Sequence, residues 1–219
     1  MIKVSLLVLA AITVFYAETS LAQERPTVER PDLKVGDSWT YQQINNWRGI
    51  VQDKYTLEVS AISGTEIHLT RKSEMSGAVA TVTATPDLNT IRGISSSGAV
   101  IQFTPDTGAF AFPLRVGKTW KAKADFATGD LVGSYTLTTK VVGWEAVKVQ
   151  AGEFTALKIT QDGYYKSTEG TQSGSGKMQE TFWYAPAVEG VVKIMYEDTN
   201  WAGQLHNRFG TELLAYKIN

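Results

Sequence analysis

The chain has 219 residues, with 21 basic and 22 acidic side chains, two histidines and no cysteine. So even a charge balance leaves no electrostatic footprint for nucleic acid or for an anionic membrane surface. Without cysteine there are no disulfides, thiolate metal sites or thiol nucleophiles, and the core alone must hold the fold.

Lys3 precedes the apolar run Val4 to Ala17, which is shorter than the roughly 20 residues needed to span a bilayer. Ser20-Leu21-Ala22 then sets small residues three and one before a cut. This predicts a signal peptide over 1–22, cleaved after Ala22, and a periplasmic or secreted product that is not an integral membrane protein. No cysteine follows the run, so a lipid anchor of the bacterial lipoprotein kind is excluded. Residues 23–31, polar with Pro26 and Pro31, predict a flexible leader.

Strand signals begin at Trp39 and recur to the end. Trp39 to Ile44 alternates, Asn45 to Gly49 has turn chemistry, and Asp53 to Ile62 places Tyr55, Leu57 and Val59 on one face. Further strands are predicted around Ile67, Val79 to Ala84, Ile91 to Ile94 and Val100 to Phe103. The second half gives Trp120 to Phe126, Ser134 to Val142, Trp144 to Val149 and Phe154 to Thr160. A Ser- and Gly-rich stretch, Lys166 to Lys177, reads as a long polar tip. Glu180 to Ala185, Gly190 to Glu197 and Leu205 to Ile218 complete the set. No stretch shows helical period.

Leu33-Lys34-Val35-Gly36-Asp37-Ser38-Trp39 is answered by Leu114-Arg115-Val116-Gly117-Lys118-Thr119-Trp120. Tyr55-Thr56-Leu57 is matched to Tyr135-Thr136-Leu137, Leu69 to Ile159 and Pro86 to Pro186, in the same order. Ordered self-similarity of this kind marks a repeated unit. The expectation is all-β: two tandem-duplicated antiparallel modules, 32–112 and 113–219, forming a curved sheet, half-barrel or sandwich. Gly49, Gly93, Gly133 and Gly210 inside strand runs favour a curved or half-closed sheet.

Three phrases of the second half occur together: Leu114 to Trp120, Val147 to Ile159, and Thr181-Phe182-Trp183-Tyr184-Ala185-Pro186 running to Lys193. With them the chain resembles a broad family of functionally uncharacterised secreted or periplasmic bacterial envelope proteins. Some of these are distantly similar to half-barrel carriers of the lipoprotein-localisation type. The resemblance implies an all-β fold and an envelope address, and brings no catalytic residues.

No pattern of catalysis emerges. His68 and His206 are far apart in sequence and give no local ligand pair, so no metal is predicted. Ser173-Gly174-Ser175-Gly176 lacks the strand-to-helix turn of a nucleophile elbow. Glu180 and Glu189 are the candidate pair for a glycan hydrolase, the least favoured function. Trp39 and Trp120 are expected to plug the two cores. The candidate ligand contacts are Trp47, Trp144, Trp183, Tyr184 and Trp201, because aromatic residues at turns suit acyl chains, sugars or protein partners. The predicted function is therefore a non-enzymatic envelope protein without cofactor. It would bind a lipid-like apolar or amphipathic ligand or an envelope protein, or else serve as a structural module.

Overall fold

The computed structural model describes residues 26–95 and 98–219, so the expected signal peptide lies outside the described residues. Twelve strands follow one another: β1 (Ser38–Asn45), β2 (Ile50–Ser63), β3 (Glu66–Ser73), β4 (Val79–Ala84), β5 (Thr90–Ile94), β6 (Val100–Thr104), β7 (Thr119–Thr128), β8 (Leu131–Val149), β9 (Gly152–Glu169), β10 (Gln172–Ala185), β11 (Gly190–Asn200) and β12 (Leu205–Lys217). A 3₁₀ turn, Pro186–Val188, joins β10 to β11.

Each strand pairs antiparallel with its sequence neighbour, and β1 pairs with β12 from Ser38–Lys217 to Asn45–Phe209, so the sheet closes into a barrel. This corrects the expected open curved sheet, half-barrel or sandwich. Strand patterning reports which face is buried and is blind to whether the first and last strands meet. Closure gives β1 and β12 partners for N–H and C=O groups that an open sheet leaves at its edges.

Two expected breaks are continuous strand. Trp144 does not follow a turn: β8 runs through Gly143, with a bulge between Val141 and Gly143 against β9. The polar tip is a paired hairpin in which Lys166 faces Ser175 and Ser167 faces Gly174, with β9 and β10 separated only by Gly170 and Thr171. Ser and Gly set no apolar alternation, but they complete a ladder readily once long flanking strands are in register.

The two related turns have the same backbone wiring. The amide of Gly36 donates to Val59 (2.9 Å), Asp37 to Lys34 (3.0 Å) and Val59 to Asp37 (2.8 Å). In the second turn Gly117 donates to Val141 (2.9 Å), Lys118 to Arg115 (3.0 Å) and Val141 to Lys118 (2.9 Å). Trp39 then pairs with Leu57, and Trp120 with Thr139. By that register Tyr55 corresponds to Leu137, two residues beyond the Tyr135 matched in sequence. The unlike residues at the turns serve opposite polarities. Buried Asp37 accepts from the amides of Lys34 (2.7 Å) and Asn219 (2.8 Å), whereas Lys118 Nζ donates to the carbonyls of Ala111 and Pro113.

The core occupies one end and the middle of the barrel. Val147, Val149, Phe154 and Ala156, at the tip of the long β8–β9 hairpin, pack with Trp39, Tyr41, Val59 and Leu213. The Ala151 amide donates to the Leu213 carbonyl (3.2 Å), which seats the tip on β12. The long connection between β6 and β7 lays Phe110 and Leu114 against Ile159, Phe182 and Tyr184. Asn89 clamps Phe110 by two hydrogen bonds. Val28, inside the segment expected to be a flexible leader, is buried and exchanges two backbone hydrogen bonds with Leu114 (2.8 Å each). A third cluster, Ala122, Ala124, Tyr135 and Leu137, lines β7 and β8.

Outward positions carry Lys121, Lys123, Asp125, Thr136, Thr138 and Lys140, all exposed, while their neighbours Ala122, Ala124, Tyr135, Leu137 and Val141 are buried. That polarity is the reverse of a barrel whose outer face meets lipid.

Close backbone approach fixes two strand glycines. A Cβ at Gly163 would lie 2.1 Å from the Thr136 carbonyl oxygen, and one at Gly176 1.6 Å from that of Thr199. Gly176→Ala is expected to destabilise by about 3 kcal/mol, the upper range for overpacking, because backbone and not a flexible side chain must yield. Urea unfolding checks this. Gly143→Ala is the control, since a Cβ there meets nothing within 4 Å.

Candidate functional site

The barrel is built differently at its two ends. One end is sealed by the β8–β9 tip, the 3₁₀ turn and the β6–β7 connection, and Val59, Leu114, Leu157, Val188, Val192 and Leu213 there have no accessible surface. At the other end lie the turns β1–β2, β3–β4, β5–β6, β7–β8, β9–β10 and β11–β12. Most of the exposed large apolar side chains collect there: Trp47 (57 %), Ile50, Val51, Met75, Val79, Val100, Val132 and Trp201 (83 %). Trp47 and Trp201 stand on the turns either side of β12. An exposed apolar collection concentrated at one end marks a contact surface.

Between the rim and the sealed end the inward positions are polar and aromatic. Asp53, Tyr55 and Arg71 share the inner face with Val59 and Leu69, yet remain partly accessible. Arg71 Nη2 donates to Asp53 Oδ2 (2.6 Å) and Ser73 Oγ to Asp53 Oδ1 (2.7 Å), and the guanidinium lies 4.1 Å from the Tyr55 ring centre. Burial pushes the Tyr55 hydroxyl up to about 12 despite the opposing pull of Arg71.

On the opposite stretch of wall no described arginine or lysine pairs with the inward carboxylates, and the basic side chain nearest Asp198 is His206, whose Nδ1 lies 3.5 Å from Asp198 Oδ1. Register sets Glu180 between Gln161 on β9 and Tyr196 on β11. Gln161 is satisfied, donating to Thr139 Oγ1 (2.8 Å). Asp198 is fully engaged: it accepts from the Tyr196 hydroxyl (2.9 Å) and from the Asn207 backbone amide (3.1 Å) and side-chain Nδ2 (2.8 Å). The Tyr196 ring stacks on Phe209 at 4.6 Å. No described group hydrogen-bonds to the Glu180 carboxyl. It shares the inward strand face with Phe182 and Tyr184, and burial raises it to about 8. The surface it retains therefore faces the interior of the barrel.

The five predicted contact residues do not form one site. Trp47 and Trp201 belong to the exposed rim. Tyr184 is core, with its ring 5.4 Å from Phe112 and 6.0 Å from Phe110. Trp183 faces outward and donates to Glu145 Oε2 (2.8 Å). That bond, with Lys158, holds the Glu145 carboxyl below the usual range. Trp144 lines a shallow pocket of about 440 Å³ at the sealed end, with Tyr184, Glu189 and residues of the 26–32 segment. Its Nε1 is buried without a partner, as is Glu189 Oε2.

Glu180 and Glu189 do not face one another. Glu180 is five strand residues from the end of β10, about 17 Å of extended chain, and Glu189 follows the 3₁₀ turn with φ 48°. The second inward carboxylate near Glu180 is Asp198, whose hydrogen bonds leave it neither free base nor nucleophile. Sequence reasoning named Glu180 for a role in bond cleavage and missed its setting. The signal was the alternation Met178, Glu180, Phe182, Tyr184, which carries Glu180 to the apolar face.

Comparison with known proteins gives a fold and no family. No family model matches the chain, and none of the curated proteins matches it. Two solved structures superpose on it over 88 % of this chain and 100 % of their own. One is from Bacteroides fragilis, assigned as an exported protein with a YmcC-like fold (TM-score 0.54, 14 % identity). The other is from Parabacteroides distasonis, assigned as a lipoprotein (TM-score 0.53, 14 % identity). At that identity the likeness speaks for architecture alone: the chain is similar in fold to two bacterial proteins, one assigned as exported and one as a lipoprotein.

Proposed function

We propose that the chain is a non-enzymatic exported envelope protein that holds an amphipathic, lipid-like ligand inside its barrel. The carrying observation is the gradient of packing. Inward side chains at the sealed end are wholly buried, whereas Tyr55, Met178, Glu180, Ile194 and Tyr196 face inward and keep accessible surface. A twelve-stranded barrel is wider than the eight-stranded size that side chains just fill. The apolar rim of Trp47, Met75 and Trp201 would guard the way in. An acyl chain entering there exchanges water for Leu57, Ile194 and Met178, worth about 25 cal/mol per Å² before ordering costs.

The signal peptide read at 1–22 and the assignments of the two fold neighbours support an envelope address. Native mass spectrometry of protein incubated with a total lipid extract of bacterial envelope is the test. We expect a small amphiphile retained by the chain that is absent from chain never exposed to the extract. A spectrum showing only the bare chain sinks the carrier reading.

A further inference from the structure

Resting on that carrier reading, we propose that the wall around Glu180 is a site for an organic ammonium group, the cationic head of the amphiphile, seated among Tyr135, Tyr165 and Tyr196. The register sets the groups. Glu180 faces Tyr196 directly; Tyr165 pairs with Tyr135 on β8 and with Gly176 on β10, the latter four residues before Glu180 on the same strand face. Glu180 lies close enough to Tyr135 and Tyr196 for its charge to disfavour their ionisation, as Asp198 does for Tyr165 and Tyr196, and Asp106 from the β6–β7 connection for Tyr135.

The neighbouring polar groups on this wall are engaged elsewhere. Gln161 holds Thr139, Tyr196 and Asn207 hold Asp198, Tyr135 donates to the Thr107 carbonyl (3.0 Å), and Tyr165 donates to that of Thr199 (3.3 Å). Among the described residues none donates a hydrogen bond to the Glu180 carboxyl. No basic side chain among the described residues forms an ion pair with it. Arg71 is committed to Asp53, and Lys158, Lys193 and Arg208 pair with Glu145, Glu212 and Glu197.

An unpaired enclosed carboxyl is costly, and a glutamine would fill the same volume without that cost. Its complement is a group that brings positive charge, donates hydrogen bonds and tolerates aromatic faces. An alkylammonium does all three, through a charge-assisted bond to Glu180 and cation–π contact with tyrosine rings. A metal ion suits the wall less well, since no group of three or more ligating side chains occurs among the described residues. An anionic head would meet the Asp198 carboxylate, of like sign, and could not draw the proton from Glu180.

The test uses three probes with one tail: dodecylamine, dodecanol and dodecanoate, each titrated calorimetrically below its micelle concentration into the full chain and into Glu180→Gln. Dodecylamine is expected to bind at least tenfold more tightly than dodecanol to the wild type. That preference should vanish in E180Q. Dodecylamine binding near neutral pH should also release a proton, read as an enthalpy that differs between phosphate and Tris buffers, and E180Q should abolish this. Dodecanol binding as tightly as dodecylamine, or dodecanoate tighter than both, overturns the ammonium site and leaves the carrier intact. Failure of all three to bind overturns both. The wild-type comparison alone decides the matter should E180Q misfold.

Discussion

Raising the pH from 5 to 8 is expected to cost the ligand-free chain on the order of 4 kcal/mol of stability through Glu180 alone. Burial raises this carboxyl from 4.5 to about 8. Across that window the folded chain keeps a proton that the unfolded chain releases, so stability falls as pH rises, by up to about 1.4 kcal/mol per unit. Below 4.5 both states are protonated and the contribution is flat; above 8 the loss is complete. Urea unfolding at unit steps from pH 5 to 8, on wild type and E180Q, measures it. The wild-type curve should descend and the E180Q curve should be much flatter. Glu189, raised by burial and then by Asp37 and Asp32, tilts both curves alike and drops out of the difference. Parallel curves would mean that Glu180 is solvated, and the account of the interior wall would fail with it.

Trp39→Ala is expected to cost about 3–5 kcal/mol, the range for removing a large aromatic side chain from a core. Trp39 is 4 % accessible, and its Nε1 donates to the Val188 carbonyl (2.8 Å) in the 3₁₀ turn. Gly190 lies against the indole so closely that a Cβ there would sit 3.0 Å from Nε1. Loss of the ring would empty the site where β1, the turn and the β8–β9 tip converge, and would leave a buried carbonyl unpaired. Trp120, its counterpart in the second turn, is half-buried and donates to the Gly108 carbonyl (2.9 Å). Trp120→Ala should therefore lose less. Thermal unfolding of the two variants side by side decides the order, and an equal or smaller loss for Trp39 would contradict the packing described here.

Much of the strand content was legible because alternation is local. Tyr55, Leu57 and Val59 announce an inner face, and the shared Val-Gly-x-x-Trp turns do make the same hydrogen bonds. What escaped depends on residues distant in sequence. Closure needs Trp39 beside Tyr216. The continuity of β8 past Gly143 is imposed by β9, and the Ser- and Gly-rich hairpin by its long flanking strands. The candidate site was half legible. Trp47 and Trp201 could be placed in turns, but nothing local told that both turns open on the same end. Tyr184 and Trp183 sit side by side in sequence and point to opposite faces, one into the core and one to Glu145. Read as a pair of aromatics, they concealed that division.

The join between the entry to β1 and the exit from β12 has a mechanical consequence. Lys34 Nζ donates to the Asn219 carbonyl (2.8 Å), and Asp37 binds the Asn219 amide, so the start of the barrel and its last residue are stitched together at the back. The segment that enters β1 and the residue that follows β12 thus meet on the sealed side, away from Trp47 and Trp201. A molecule fastened there would swing with its front free, able to turn toward whatever surface lies opposite its anchor.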